Sequence, residues 1–229
     1  MVGGAPPRQT PSKKAWKWLA FAVVVALLLL RLLFVELVVV RGNTMAPSVL
    51  HGDVLLVASR GDVELGSVVL VEHDGRTTLR RVLAGPGARI ASTDGVLTLG
   101  DMPAEVRVDG TFAYRDPGEE QRRPRRQQRY VEHAGEIQNV ILGDHIGAAR
   151  PWLLDLPELE VPVGHVFVLC DNRRTCPLDE RSGVVPLEWI QGVATHLLWT
   201  GDARLEEDQG SGGFRPLTST GEGSEPPRK

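Results

Sequence analysis

Hydrophobic positions along this 229-residue chain follow two different rhythms. From Trp18 to Leu30 every residue is apolar; Arg31 interrupts, and Leu32 to Val35 continue the run. As a helix rising about 1.5 Å per residue, Trp16 to Val35 reaches the roughly 30 Å of a bilayer core, which predicts a transmembrane anchor over residues 16–36. Arg31 near its far end can snorkel towards the headgroups. From Leu37 the rhythm changes to short β-branched runs broken by Gly and Asp: Leu37 to Val40, Val54 to Val57, Val68 to Val71, Leu79 to Leu83, Val96 to Leu99, Val166 to Leu169 and Val193 to Leu198. Such runs predict a mostly antiparallel β domain over residues 37–200. The segments flanking these two regions, 1–15 and 201–229, are rich in Gly, Pro, Ser or Glu and predict disordered tails.

Charge gives the anchor a direction. Arg8, Lys13, Lys14 and Lys17 all precede the apolar run that starts at Trp18, so the positive-inside rule leaves the N-terminus cytoplasmic and residues 37 onward on the exported side. The same lysines could be the basic start of a cleaved signal peptide, but no small-x-small site follows Leu30, which favours a retained anchor. A formal net charge of -3 names no partner. The distribution of bases says more: the only lysines are Lys13, Lys14, Lys17 and Lys229, so between Lys17 and Lys229 every Lys/Arg position is arginine. Six of these arginines fall between Arg115 and Arg129, among Asp116, Glu119 and Glu120 and with no interleaved aromatic. That mixture predicts a solvated loop in an inserted subdomain, and no nucleic-acid partner.

Cys170 and Cys176 would lie in a compartment that tolerates disulfides. Five residues separate them, so a small bridged loop and two free thiols both remain open. Two cysteines without a nearby paired His do not complete a zinc shell, and no cofactor is expected.

Candidate chemistry sits directly after the anchor, in Gly42-Asn43-Thr44-Met45-Ala46-Pro47-Ser48. A Thr at a strand end next to Gly offers a hydroxyl that a substrate carbonyl can approach, with nearby backbone N–H groups able to stabilise an oxyanion. Pro47 stiffens the backbone after Met45. Taken alone the run reads better as a strand-to-turn junction, and Asp171-Asn172-Arg173 is compatible with an ordinary turn.

In order and together, these pieces resemble the type I signal peptidases, membrane-anchored endopeptidases that remove signal peptides from exported proteins. Arg31, Glu36 and Gly42 match the family's spacing of Arg, Glu and nucleophile box. The box G-x-S-M-x-P-T-L-x-x-G-D stands here from Gly42 to Asp53 as G-N-T-M-A-P-S-V-L-H-G-D. The family's K-R-V-x-G-x-P-G corresponds to Arg80 to Gly87. Its V-P-x-G and G-D-N-R correspond to Val161 to Gly164 and to Cys170-Asp171-Asn172-Arg173. Asp179 and Arg181 resemble the S-x-D-S-R element once one residue is inserted before them and one lost before Gly183, and Val185-Pro186 through Gly192 complete the pattern. The resemblance implies a mainly β fold: an antiparallel core of the signal-peptidase type, an inserted subdomain over about 100–160, and one N-terminal transmembrane helix. It further implies a place in the bacterial inner (plasma) membrane, with exported preproteins or their signal peptides and membrane lipid as partners. Gly42, Met45, Pro47, Arg81, Asp171, Asn172, Arg173, Asp179 and Arg181 would support the catalytic positions, with Met45 lining the pocket.

The catalytic positions themselves depart from the pattern. In the family a serine attacks and a neutral lysine takes its proton; here Thr44 holds the serine place and Arg80 the lysine place. Threonine keeps the hydroxyl, but arginine, with a pKa above about 12, stays protonated and cannot act as a general base. No lysine elsewhere in the domain can replace it, so Ser/Lys chemistry is excluded by composition. A histidine base is the remaining route, from His51, His73, His133, His145, His165 or His196, none of them at the Arg80 position. Two readings follow: a membrane-bound endopeptidase with Thr44 as nucleophile and another base, or an inactive relative that binds extended peptides, or an active peptidase, without cutting.

Overall fold

A computed structural model of the chain describes residues 16–18, 20–25, 34–59, 61–93, 96–117, 124–143, 156–175, 183–203, 205 and 215–217. Its strands, in chain order, are β1 (Val35–Val39), β2 (Val54–Ala58), β3 (Val68–His73), β4 (Arg76–Ala84), β5 (Arg89–Thr93), β6 (Val96–Leu99), β7 (Met102–Pro103), β8 (Glu105–Tyr114), β9 (Arg125–Ala134), β10 (Ile137–Gly143), β11 (Leu156–Glu160), β12 (His165–Leu169), β13 (Val184–Pro186), β14 (Ile190–Trp199) and β15 (Arg215–Pro216). All named strand pairings are antiparallel, so the fold is mainly β as the runs predict.

The largest sheet has the order β1-β2-β14-β3-β4-β12-β13, with β15 added alongside β14. Its central strands are buried on both faces, which is why they read as continuous apolar runs rather than alternating ones. In β3, Val68 and Leu70 pack into one cluster with Val57 and Leu55, while Val69 and Val71 pack into a second with Val82 and Val168. In β12, Phe167 and Leu169 face a third cluster, which they share with Ile90, Leu97, Tyr130 and Ile141. That third cluster joins the large sheet to two smaller ones, β11-β5-β6-β7 and β10-β9-β8.

Several boundaries differ from the sequence expectation. Residues 16–18 and 20–25 are helical, but Val35 and Glu36 belong to β1, so the expected anchor cannot extend to residue 36. Residues 26–33 lie outside the described residues, and among those described no helix is long and apolar enough to cross a membrane. The smaller sheets begin at Arg89, not near residue 100. The Arg-rich segment is not all loop: residues 125–129 open β9. Their strand character is hidden because the residue β9 buries there is Gln127, whose Oε1 accepts the Tyr114 hydroxyl at 2.8 Å, rather than an apolar side chain. The C-terminal segment also returns to the core, since β15 pairs with β14 and Leu217 packs into the cluster that holds Met45.

Phe167 is fully buried between sheets, so Phe167→Ala is expected to cost about 3–5 kcal/mol of stability. Denaturant titration of the protein in detergent checks this, with the exposed Val108→Ala expected to change stability by less than about 0.5 kcal/mol.

Candidate functional site

The expected nucleophile box is the turn between β1 and β2, and its residue types follow from how tightly it is wound. Gly42 has φ 90°, a backbone state that glycine alone adopts without strain. Its N–H donates to His51 Nδ1 at 3.1 Å, which puts the ring proton of a neutral His51 on Nε2. Buried Asn43 accepts the His51 N–H at 2.9 Å and donates to the Arg115 carbonyl at 3.0 Å and to Asp116 Oδ1 at 3.1 Å. Asp53 closes the turn by accepting the Leu50 N–H at 2.9 Å and the Gly201 N–H at 2.8 Å. Gly201 and Gly52 touch backbone to backbone: a Cβ on Gly201 would stand 2.4 Å from the Gly52 carbonyl carbon. Pro47 is buried within the turn, after a cis peptide bond from Ala46.

Thr44 is half-buried, and its carbonyl accepts the Asn172 N–H at 2.9 Å. Among the described residues nothing hydrogen-bonds its hydroxyl, and the N–H groups of Thr44 and Met45 meet no acceptor. Arg80 is half-buried on β4, with Nη1 2.8 Å from Cys170 Sγ. Cys170 is disulfide-bonded; the chain's other cysteine, Cys176, lies outside the described residues. The segment from Cys170 to Asn172 therefore touches both residues, Arg80 at one end and Thr44 at the other. Met45, which the resemblance puts in a pocket wall, is a core residue. It is 1% exposed and packs with Val40, Val49, Leu55 and Cys170, because the turn folds it inward against β2.

The histidines have other contacts. His51 is built into the box, His73 stacks on Trp189 at 3.9 Å, and His133 meets Arg107 on the outer sheet. His165 reaches the Val163 carbonyl, His196 lies on β14, and His145 falls outside the described residues.

Beneath the box lies a buried ion network. Arg81 grips Asp171 with two parallel bonds, Nε to Oδ1 at 2.7 Å and Nη2 to Oδ2 at 2.6 Å, and gives Nη1 to the Gly66 carbonyl at 2.8 Å. The Ser48 hydroxyl donates to Asp171 Oδ2 at 2.5 Å and accepts from Arg81 Nη2 at 3.2 Å. Burial opposes the Arg81 charge, but the Asp171 carboxylate outweighs it, so the guanidinium pKa is raised above its ordinary value. Asn172 gives its amide to the Asn43 carbonyl at 3.0 Å and to the Tyr114 hydroxyl at 3.1 Å. Burial lifts the Tyr114 phenol above its ordinary range. Arg173 forms a buried ion pair with Glu132 and donates to the Cys170 carbonyl at 2.9 Å. Asp179 and Arg181 lie outside the described residues.

Sequence reasoning overlooked Ser48, Asn43, Asp53, Tyr114 and Glu132. The first three stand inside the box, where a polar residue kept beside buried apolar ones was the available signal. Tyr114 and Glu132 carried none, since their partners Asn172 and Arg173 lie far along the chain. No group of three His, Cys, Asp or Glu suited to a metal occurs among the described residues.

Residues 13–199 match the family model described as signal peptidase, peptidase S26. No curated protein matches the chain.

Asp171→Ala leaves the Arg81 charge buried without its partner and is expected to destabilise the fold by about 3–5 kcal/mol. Arg89→Ala, which breaks the exposed pair with Asp101, is expected to cost about 0–1 kcal/mol in the same denaturant titration.

Proposed function

Because the chain belongs to the signal peptidase family of peptidases, we propose that it holds exported preproteins or their signal peptides at the membrane without cleaving them. The observation that carries this reading is Arg80 on β4, its guanidinium against Cys170, where the family resemblance expects a neutral lysine. General-base catalysis needs a group that can accept a proton at the operating pH. A guanidinium cannot, and no described side chain replaces it at the Thr44 hydroxyl.

Two features support the binding half of the proposal. β1 is an edge strand of the large sheet and ends at Val39, shortly before the box, so an extended peptide adding to that edge would run towards Thr44. The outward face beside it is apolar: Leu37 and Val39 on β1 and Trp199 on β14 are 66%, 61% and 72% exposed, with Val39 and Trp199 both registered against Val54. A lipid surface next to a helical anchor would cover that face, in the bacterial inner membrane with the β domain on the exported side.

A second reading keeps the enzyme. The Thr44 hydroxyl and the Thr44 and Met45 N–H groups meet no partner among the described residues, and donors next to a nucleophile can stabilise an oxyanion. The test separates the two readings: purified protein in detergent is expected to leave a preprotein with a small-x-small site uncut, as followed by gel shift. Cleavage that disappears in Thr44→Ala would overturn the non-cleaving reading. The double variant Thr44→Ser with Arg80→Lys is expected to gain measurable cleavage.

A further inference from the structure

We propose that His51 is a pH-sensitive latch on the turn that displays Thr44. The residue closes that turn from two directions: its Nδ1 accepts the Gly42 N–H at 3.1 Å, and its own backbone N–H donates to Asn43 Oδ1 at 2.9 Å. A neutral imidazole has one acceptor nitrogen, whereas a protonated one has none, because both ring nitrogens then carry hydrogen. Protonation of His51 therefore sets an N–H against the Gly42 N–H and ends that hydrogen bond. Histidine is the side chain that ordinarily changes charge between about pH 5 and pH 8, so the bond is present in neutral solution and is lost as the pH falls through that range.

The ring has room to turn away. His51 borders a cavity of about 160 Å³ whose wall also holds Arg115, Asp116 and Asp202. Asp116 is engaged, taking the Asn43 amide at 3.1 Å on one oxygen and Arg125 at 2.6 Å on the other. Asp202 is exposed, and its carboxylate meets no hydrogen-bond partner among the described residues. Of the charged groups around the ring, Asp116, Asp202 and, within the turn, Asp53 favour its protonated form, while Arg115, and Arg41 beside Gly42 in the chain, oppose it. Asn43 couples the turn to the cavity wall, because the side chain that takes the His51 N–H also donates to the Arg115 carbonyl and to Asp116. Thr44 lies two residues beyond Gly42, so release of the latch loosens the turn at the hydroxyl itself, whether the site holds peptides or cuts them. On the exported side proposed above, the latch would answer to the pH outside the cell.

NMR of the full chain in detergent tests this. Labelling the arginine carbonyl with 13C and glycine with 15N selects the Arg–Gly pairs, Arg41-Gly42 and Arg60-Gly61, and Arg41→Lys, which deletes the Gly42 signal, assigns them. Gly61, whose N–H donates to the Ala58 carbonyl at 3.2 Å, is the internal control. Between about pH 7.5 and about pH 5 the hydrogen-exchange protection of Gly42, corrected for the intrinsic pH dependence of exchange, is expected to fall about five- to tenfold, the scale of one net hydrogen bond, while that of Gly61 stays constant. In His51→Gln, whose side chain does not titrate, the protection of Gly42 is expected to be independent of pH. Asp202→Asn is expected to move the midpoint of the fall to lower pH, since loss of a carboxylate disfavours the charged ring. Constant protection of Gly42 in the unmodified protein overturns the latch, and so does a fall of the same size in His51→Gln. A parallel fall at Gly61 also overturns it, because the domain as a whole then responds to pH. Should His51→Gln not fold, Asp202→Asn at its exposed position takes its place, and a midpoint that does not move overturns the assignment to His51.

Discussion

The paired bonds between Arg81 and Asp171 are the constraint around which this domain is arranged. They tie β4 to the turn after β12, and through Ser48 they reach the box between β1 and β2, so three distant parts of the chain meet at one carboxylate. Neither charge could be buried alone at acceptable cost, whereas together, with Gly66 and Ser48 taking up further donors and acceptors, they are satisfied. The position of Thr44 follows, because the backbone N–H that donates to its carbonyl belongs to the residue after Asp171.

The same turn carries the connection to the smaller sheets. Leu142 on β10 donates its N–H to the Asp171 carbonyl and accepts the Arg173 N–H, while the Arg173 side chain pairs with Glu132 on β9. Asn172 continues the network through Tyr114 to Gln127. A polar seam therefore runs from the box into the outer sheet, and motion of one against the other would break several buried hydrogen bonds at once. Arg80 and Thr44 both touch this seam, through Cys170 and Asn172. Arg80 and Arg81 are neighbours on β4, and alternation along the strand sends them to opposite sides: Arg81 down into the ion network, Arg80 towards the Cys170 sulfur.

Strand positions were readable where burial is apolar. The run Val68 to Val71 lies within β3 because it packs on both faces, and Val54 to Val57 within β2 because its alternate residues do. Residues 125–129 were not readable, since β9 there buries Gln127 through a hydrogen bond, which leaves no hydrophobic rhythm. β15 escaped for a related reason: two residues amid a polar tail acquire strand geometry only by pairing with β14 and by Arg215 reaching the Ser48 carbonyl at 2.9 Å.

Composition alone determined that no lysine stands in the β domain, and hence that any chemistry requiring a neutral lysine is closed to it; this depends on residue identity, which folding cannot alter. Spacing within the box likewise reflects a local turn, in which Gly42 meets His51 and Asp53 accepts the Leu50 N–H. Only the tertiary structure decided that Met45 is core, that Cys170 is disulfide-bonded and touches Arg80, and that Ser48 and Glu132 hold the turn through Asp171 and Arg173. Those facts depend on contacts between residues tens of positions apart, which are created by sheet register and by the burial of charge, and neither is written in any single segment of the chain.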